Sequence, residues 1–334
     1  MRTGKLTNEE LNENVLSLLK RRRNEVIVYP GAGEDCAVIR ATEGLVFFSS
    51  DPITGAASNL GALAVHINCN DIAASGAEPL GVMLTLLLPP SAGLEAVREI
   101  MESAEEACRN LRIDVLGGHT EFTGAVNTPV VSATAVGMAR KAIRAGGMEE
   151  GDAIVMTKAA AIEGTWLIAA DHMLYLKSKY TEKLCLTGEE EAGALSLFDR
   201  ISVYPESRIM VRHEVSAMHD ITEGGVYGAV AEMCFNCGLG AEINTGKIPV
   251  LPVTAKICKL SGLDPFRLLS SGSMLCACKK PKPLIEDLKA AGIEAAVIGK
   301  ITGRGTGAYA LGKKGIKTEI KSEKDQFYRL LETT

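Results

Sequence analysis

The sequence predicts an α+β chain of two domains. Apolar strand-like runs and amphipathic helical runs alternate along its 334 residues, without the strict strand–helix–strand repetition of a parallel sheet. A chain of that length holds two units, each able to bury its own core. The stretch Ala145-Gly146-Gly147-Met148 interrupts the pattern and sets the domains at 1–145 and 146–334.

Thr7 with Glu10 makes a capping box for a first helix, whose apolar residues are Leu11, Val15, Leu18 and Leu19. The run Lys20-Arg21-Arg22-Arg23 reads as its solvated C-terminus, where cations suit the dipole. Strands are expected at 26–29, 37–40 and 45–49. Residues 60–75 form a helix of small and apolar residues that ends at Gly76 and Pro79, with Leu63, Ile67 and Ala74 on one face. A strand at 80–88 stops at two prolines. Residues 94–112 read as an amphipathic helix, with Val97, Ile100, Met101, Ala104, Ala107, Cys108 and Leu111 on one face. A strand at 114–116 runs into a Gly117-Gly118-His119-Thr120 turn, and another strand spans 128–138. The short apolar strands 80–88 and 128–138 need cover on their edges.

In the second domain a strand is expected at 153–157, helices at 165–177 and 189–201, and either a helix or a strand within 211–217. Then come a helix at 225–237, a strand at 242–244, a helix at 254–259, a strand at 274–278, a helix at 283–291 and a strand at 296–301. Phe327, Leu330 and Leu331 sit at helical spacing and predict a packed terminal turn.

Apolar residues make up 46% and charged residues 23%, an ordinary globular composition. A net charge of −5 argues against a general nucleic-acid binder, which needs a basic surface. No apolar run reaches the length of a membrane helix. Nine cysteines, with no leader pattern, fit a reducing cytoplasm rather than a disulfide framework. Cys234 and Cys237 form a lone CxxC that lacks two further zinc ligands, and Cys276 and Cys278 alternate along an apolar strand as core residues.

Four acids are the candidate site residues. Asp71 lies in the helix 60–75 beside Asn68 and Asn70, and an Asp among small apolar residues needs a partner. Asp35 stands in the glycine turn 31–36, Asp51 ends a strand before a Pro turn, and Asp220 precedes Gly224-Gly225 at a helix start. Each reads alone as a cap for backbone N–H groups or as an oxygen ligand for Mg²⁺. The residues by themselves do not show convergence. His66, mid-helix, reads as a packing histidine.

Five ordered motifs resemble the AIR-synthase (PurM-like) superfamily of ATP-dependent enzymes: Gly33-Glu34-Asp35-Cys36-Ala37-Val38, Ser49-Ser50-Asp51, Asn70-Asp71-Ile72-Ala73-Ala74-Ser75-Gly76-Ala77-Glu78-Pro79, Gly117-Gly118-His119-Thr120 and His219-Asp220-Ile221-Thr222-Glu223-Gly224-Gly225. The resemblance covers about residues 25–320. The segment 248–275 is most similar to the HypE branch, which serves hydrogenase maturation. The resemblance implies a two-domain PurM/HypE-like fold whose N-terminal domain pairs with a twin into a dimeric β-barrel. It implies ATP and Mg²⁺ as cofactors, with Asp35, Asp51, Asp71 and Asp220 as metal ligands. Asp35, Asp51, Asn70, Gly117, Gly118, Thr120, Gly224 and Gly225 would contact the nucleotide, and His119 and Asp220 would act in catalysis.

Three departures stand out. His119 replaces the family's acid: a metal site is weakened, or the metal differs, or His119 is a base. The turn Thr157–Gly164 has lost most of its glycines. The chain ends Leu331-Glu332-Thr333-Thr334, without the cysteine on which HypE chemistry runs, so self-modification is not expected. Two readings follow. One is an ATP-dependent phosphoryl-transfer enzyme with an unknown small-molecule or protein-borne substrate. The other is a non-catalytic nucleotide-binding paralogue acting in maturation or assembly.

Overall fold

The computed structural model describes residues 4–5, 8–28, 38–39, 44–54, 56–179, 186–312, 315–321 and 323–331. Thr7 and the Asp35 turn lie outside these. The chain divides into two compact units, 1–73 with 77–142, and 74–76 with 143–334.

The first unit contains β1 (Gly4–Lys5), α1 (Asn8–Asn14), β2 (Val26–Val28), β3 (Val38–Ile39), β4 (Leu45–Ile53), α2 (Leu60–Ala74), β5 (Glu78–Leu88), α3 (Leu94–Leu111), β6 (Asp114–Phe122) and β7 (Val130–Ala139). Its main sheet is an open five-stranded one, ordered β1-β6-β5-β7-β4. No closed barrel forms within the described residues of the single chain. Along β5, buried Val82, Leu84, Leu86 and Leu88 alternate with Met83, Thr85 and Leu87, so one face meets the core.

Helices α2 and α3 cover that face. Val97, Ile100, Met101, Ala104, Ala107 and Cys108 of α3 are buried as their spacing predicts. Leu111 is only half-buried. α2 is buried on nearly every side, and its small residues permit this: a Cβ on Gly61 would lie 1.9 Å from the Ile100 carbonyl oxygen. On the opposite face Val26 of β2 packs with Leu116 and Val136 at one end. Val46, Phe48 and Met83 stay exposed at 43%, 70% and 44%.

The Gly117–Thr120 segment is not a turn. β6 continues to Phe122 and pairs in parallel with β5, Leu84 opposite Gly118. A Cβ on Gly118 would sit 1.8 Å from the Leu84 carbonyl oxygen, whereas one on Gly117 would meet nothing closer than Met83 Cε at 4.0 Å. The two glycines share nearly the same φ, 156° and 154°. Gly118→Ala is therefore expected to lower stability by roughly 2–3 kcal/mol through overpacking, and Gly117→Ala by clearly less. Denaturant midpoints of the two variants check this.

The basic run also departs from expectation. It is a coil bolted to the sheet, because the fully buried Asp114 needs donors. The Asp114 carboxylate accepts the N–H groups of Arg22 and Arg23 at 2.6 and 3.0 Å. Arg22 pairs with Glu105, and Arg23 pairs with Glu78 at 2.9 Å. β4 runs past Asp51 through Pro52, which an edge strand tolerates.

The second unit contains β8 (Ala153–Thr157), α4 (Ile162–Asp171), α5 (Met173–Lys179), α6 (Gly188–Leu195), α7 (Tyr204–Met210), β9 (Val215–Asp220), α8 (Gly225–Cys237), β10 (Leu239–Asn244), α9 (Pro252–Ser261), β11 (Met274–Cys278), α10 (Pro281–Ala290), β12 (Ala295–Arg304), β13 (Ala308–Leu311), β14 (Lys317–Glu319) and α11 (Phe327–Leu331). Its seven-stranded sheet is ordered β14-β13-β10-β12-β8-β11-β9. Every residue of β11 is buried, Cys276 and Cys278 included, so this strand is covered on both faces. Val226, Val230 and Met233 of α8 join Ile154, Met156, Ala217, Leu275 and Ala277 in one core cluster. The helix expected at 165–177 breaks into α4 and α5 at His172, and the one at 189–201 becomes α6 followed by a 3₁₀ turn. In the open segment 211–217, residues 211–214 form a turn after α7 and 215–217 begin β9.

Candidate functional site

In the first unit α2 holds the end of β4 through amides and a hydroxyl. The buried Asn68 accepts the Asp51 N–H at Oδ1 (2.7 Å). Its Nδ2 donates to the carbonyls of Asp51 (3.2 Å) and Ala64 (2.9 Å). The backbone of Asp51 is thus fixed while its side chain stays exposed. Ser49 Oγ donates to Asp71 Oδ2 at 2.5 Å. Asp71 is half-buried, and Asn70 is 1% exposed. The donors gathered here are oxygens on a strand end and a packed helix. That is the chemistry of a hard cation, and two carboxylates with phosphate and water are a usual Mg²⁺ set. Among the described residues no group of three or more His, Cys, Asp or Glu side chains is arranged to hold a metal by itself.

His119 is not with these acids. It pairs with Thr85, which pairs with Ser132, whereas Ser49 and Asp51 pair with Ala135 and Ala133, the partners of Val82 and Leu84. Directly paired residues share a face, so His119 belongs to the face opposite the helices. There its Nε2 lies 3.0 Å from Glu121 Oε2. Gly118 and the buried Thr120 fall on the helix-covered face, and the conformational freedom of Gly118 serves the contact with β5. His66 is buried within α2, as a packing histidine would be.

In the second unit β9 is an edge strand paired to β11, with Asp220 opposite Met274 and 2% exposed. His219 Nε2 lies 2.9 Å from Glu232 and its Nδ1 3.8 Å from Asp220 Oδ1. Beyond Asp220 the chain turns through two left-handed glycines, Gly224 (φ 79°) and Gly225 (φ 62°), into α8. Both glycine N–H groups are engaged within the chain. Gly224 donates to Asp325 Oδ2 at 2.7 Å, and Gly225 donates to the Thr222 carbonyl at 3.2 Å. A ligand contact at either N–H requires displacing these.

Three groups escaped the sequence reading. Glu163, in the first turn of α4, is 6% exposed. Burial pushes its carboxyl up to about 7, against hydrogen bonds from Ser271, and Asp325 and Glu223 push it the same way. Its Oε2 has no hydrogen-bond partner in the described chain. Asp325 is pushed up to about 6 by burial, against the N–H groups of Phe327, Gly224 and Leu269. A further group occupies the turn that lost its glycines. Lys158 (φ 52°) and Ala161 (φ 58°) hold left-handed backbone without being glycine, a strain of about 1–2 kcal/mol each. The Lys158 ammonium is caged by Glu206 at 2.6 Å and by the carbonyls of Arg200 and Ser202 at 2.9 and 2.7 Å. Burial lowers the lysine and raises the glutamate, and their mutual attraction opposes both shifts. Asp325, two residues before the N–H it accepts in α11, was readable as a cap. Lys158 and Glu206 carry no local signal of their pairing.

The fold and these carboxylates define a two-domain α+β protein whose acids stand at strand and helix ends. The chain belongs to the AIR synthase-related family: residues 33–139 match its N-terminal domain and residues 149–311 its C-terminal domain. This is a family of ATP-using enzymes, among them carbamoyl dehydratases, selenide, water dikinases and thiamine-monophosphate kinases. The chain is 28% identical over 254 residues to a putative hydrogenase expression/formation protein of Methanocaldococcus jannaschii, covering 74% of this chain and 72% of that one. It is 26% identical over 280 residues to the carbamoyl dehydratase HypE of Escherichia coli, covering 81% and 78%. A crystal structure of the hydrogenase maturation protein HypE in complex with ATP superposes with a TM-score of 0.79 at 18% identity, over 97% of each chain.

Proposed function

We propose that this chain is an ATP- and Mg²⁺-dependent HypE-like enzyme that activates its substrate by phosphoryl transfer. The observation that carries this reading is the setting of Asp51 and Asp71, the backbone of the first held by Asn68 and the carboxylate of the second by Ser49. Such anchoring supports a mechanism that works by positioning. A cation held there would neutralise charge on the departing phosphate. Asp51 would meet it with an exposed side chain and Asp71 with its half-buried carboxylate. Asp35 and Asp220 are proposed ligands of the same kind. Asn70, Gly117, Gly118, Thr120, Gly224 and Gly225 remain proposed nucleotide contacts.

The open face of the first sheet suits a second copy of the chain. Exposed Val46, Phe48 and Met83 would be buried there, and His119 with Glu121 would lie at the contact between copies. Sedimentation at micromolar concentration is expected to give a dimer, and a monomer would remove this part of the reading.

A second reading is favoured by the turn around Lys158 and Ala161, where caged and strained side chains stand in place of flexible glycines. It is a HypE-like paralogue that binds nucleotide without turnover and acts in maturation or assembly. Calorimetry with ATP and Mg²⁺, run beside an ADP-release assay over candidate substrates, separates the two. Binding with ADP release is expected. Binding without release supports the paralogue, and absence of binding overturns both.

A further inference from the structure

Residues 323–331 are fastened to the loop after Asp220 by buried polar bonds. Asp325 is 2% exposed. Its Oδ2 accepts Gly224 N–H and its Oδ1 accepts Phe327 N–H, each at 2.7 Å, and the Leu269 N–H also donates to it. One carboxylate therefore ties together three segments: the 221–225 loop, the 264–271 loop and its own. Neighbouring bonds repeat the pattern. Gln326 donates its N–H to the Arg267 carbonyl (3.1 Å), and its Oε1 accepts the Asp264 N–H (2.6 Å). Tyr328 donates its hydroxyl to Glu223 at 2.6 Å. Arg267 pairs with Glu323 at 3.2 Å, and Phe327 is buried with its ring edge-on to His172 at 5.4 Å.

The loop needs such a constraint. Two consecutive left-handed glycines give it more conformational freedom than any other pair of residues would. A buried carboxylate costs free energy unless donors surround it. Burying this segment needs no charge, since Phe327 and Leu330 already supply an apolar anchor. What Asp325 adds is a fixed position for Gly224.

We propose that residues 323–331 are a positioning strap: Asp325 sets the backbone of Ile221–Gly225 and so the direction in which Asp220 is presented to ligand. This rests on the reading of Asp220 as a ligand-facing residue. Asp325 touches no ligand in this scheme. Its charge is read by the N–H groups of Gly224, Leu269 and Phe327, with the carboxylates of Glu163 and Glu223 acting on it.

The test uses the full chain with Asp325→Asn and Tyr328→Phe, hydrogen–deuterium exchange and calorimetry with ATP and Mg²⁺. An amide nitrogen cannot accept the N–H that an oxygen accepted. Asp325→Asn is expected to speed exchange of peptide 221–228 about tenfold, leaving β8 and β11 protected, and to raise the Kd for ATP–Mg²⁺ about tenfold, the equivalent of one lost bond. Tyr328→Phe removes only the bond to Glu223 and should move both readouts the same way by less. It keeps the test decisive if Asp325→Asn does not fold. Unchanged exchange at 221–228 in the folded variants overturns the strap. Faster exchange with parent-like affinity overturns the positioning role. If the parent itself binds no ATP, the functional reading fails, and exchange alone decides whether the strap sets the loop.

Discussion

Asp71→Asn is expected to weaken ATP–Mg²⁺ binding roughly a hundredfold, about 3 kcal/mol, while leaving the fold intact. Asparagine has the size of aspartate, and its carbonyl oxygen can still accept the Ser49 hydroxyl. What it lacks is the charge that a divalent cation needs from a half-buried ligand. Asp71 lies on the side of α2 that meets β4, so packing is unchanged and stability should stay within ordinary surface-mutation limits. Calorimetry beside a thermal melt gives both numbers. Ser49→Ala is the companion. It removes the hydroxyl that orients Asp71 and should weaken binding less than Asp71→Asn does. Parent-like affinity in Asp71→Asn would make Asp71 a partner for Ser49 and nothing more.

Glu163→Gln should raise stability at pH 8 and leave it nearly unchanged at pH 4.5. The Glu163 carboxyl titrates at about 7 in the folded chain, against an ordinary 4.5. Between those values the unfolded chain has lost the proton and the folded chain keeps it, so stability falls as pH rises from 4.5 through 7. Above 7 the full loss is in force, on the order of 3 kcal/mol. Asp325 acts in the same direction over a lower window, from 3.8 to about 6. Glutamine carries no charge to bury and can still accept from Ser271. Urea unfolding of parent and variant across pH 4.5–8 gives the two curves. Curves that stay parallel would mean that Glu163 is ionised in the folded chain without penalty. If the variant is stabilised but loses ADP release, the buried acid is retained for function at the expense of stability.

Much of the scaffold was legible because its signals are local. Val97, Ile100, Met101 and Ala104 repeat at helical spacing and are buried as read. Gly76 and Pro79 close α2 near where they should, and Gly225–Cys237 is a helix with the predicted ends. The errors come from contacts that sequence spacing does not encode. Gly117-Gly118 looks like a turn, yet Gly118 is glycine because Leu84 of the next strand leaves no room. Arg22 and Arg23 look solvated until Asp114, about ninety residues away, takes their N–H groups. Asp51 and Asp71 were singled out as candidates from residue type and position. The separation of His119 from them was not legible, since it depends on strand register and on the bulge between Val82 and Met83. Glu163 and Lys158 looked like losses of glycine. Their burial and partners exist only in three dimensions.

The bond between Asp325 and Gly224 also has a bearing on how the chain is made. The two residues are 101 positions apart. At synthesis rates of about 5–20 residues per second, the carboxylate follows its partner by roughly 5–20 s. A nascent chain therefore carries Asp220 and its glycine loop for that interval without the group that fixes them. Helix α8 and its core partners in β8 can assemble meanwhile, because β8 emerges earlier. The loop cannot take its final form until the later segment folds back. Slow codons between Gly225 and Asp325 would lengthen that interval, and a premature stop there would leave the loop unset.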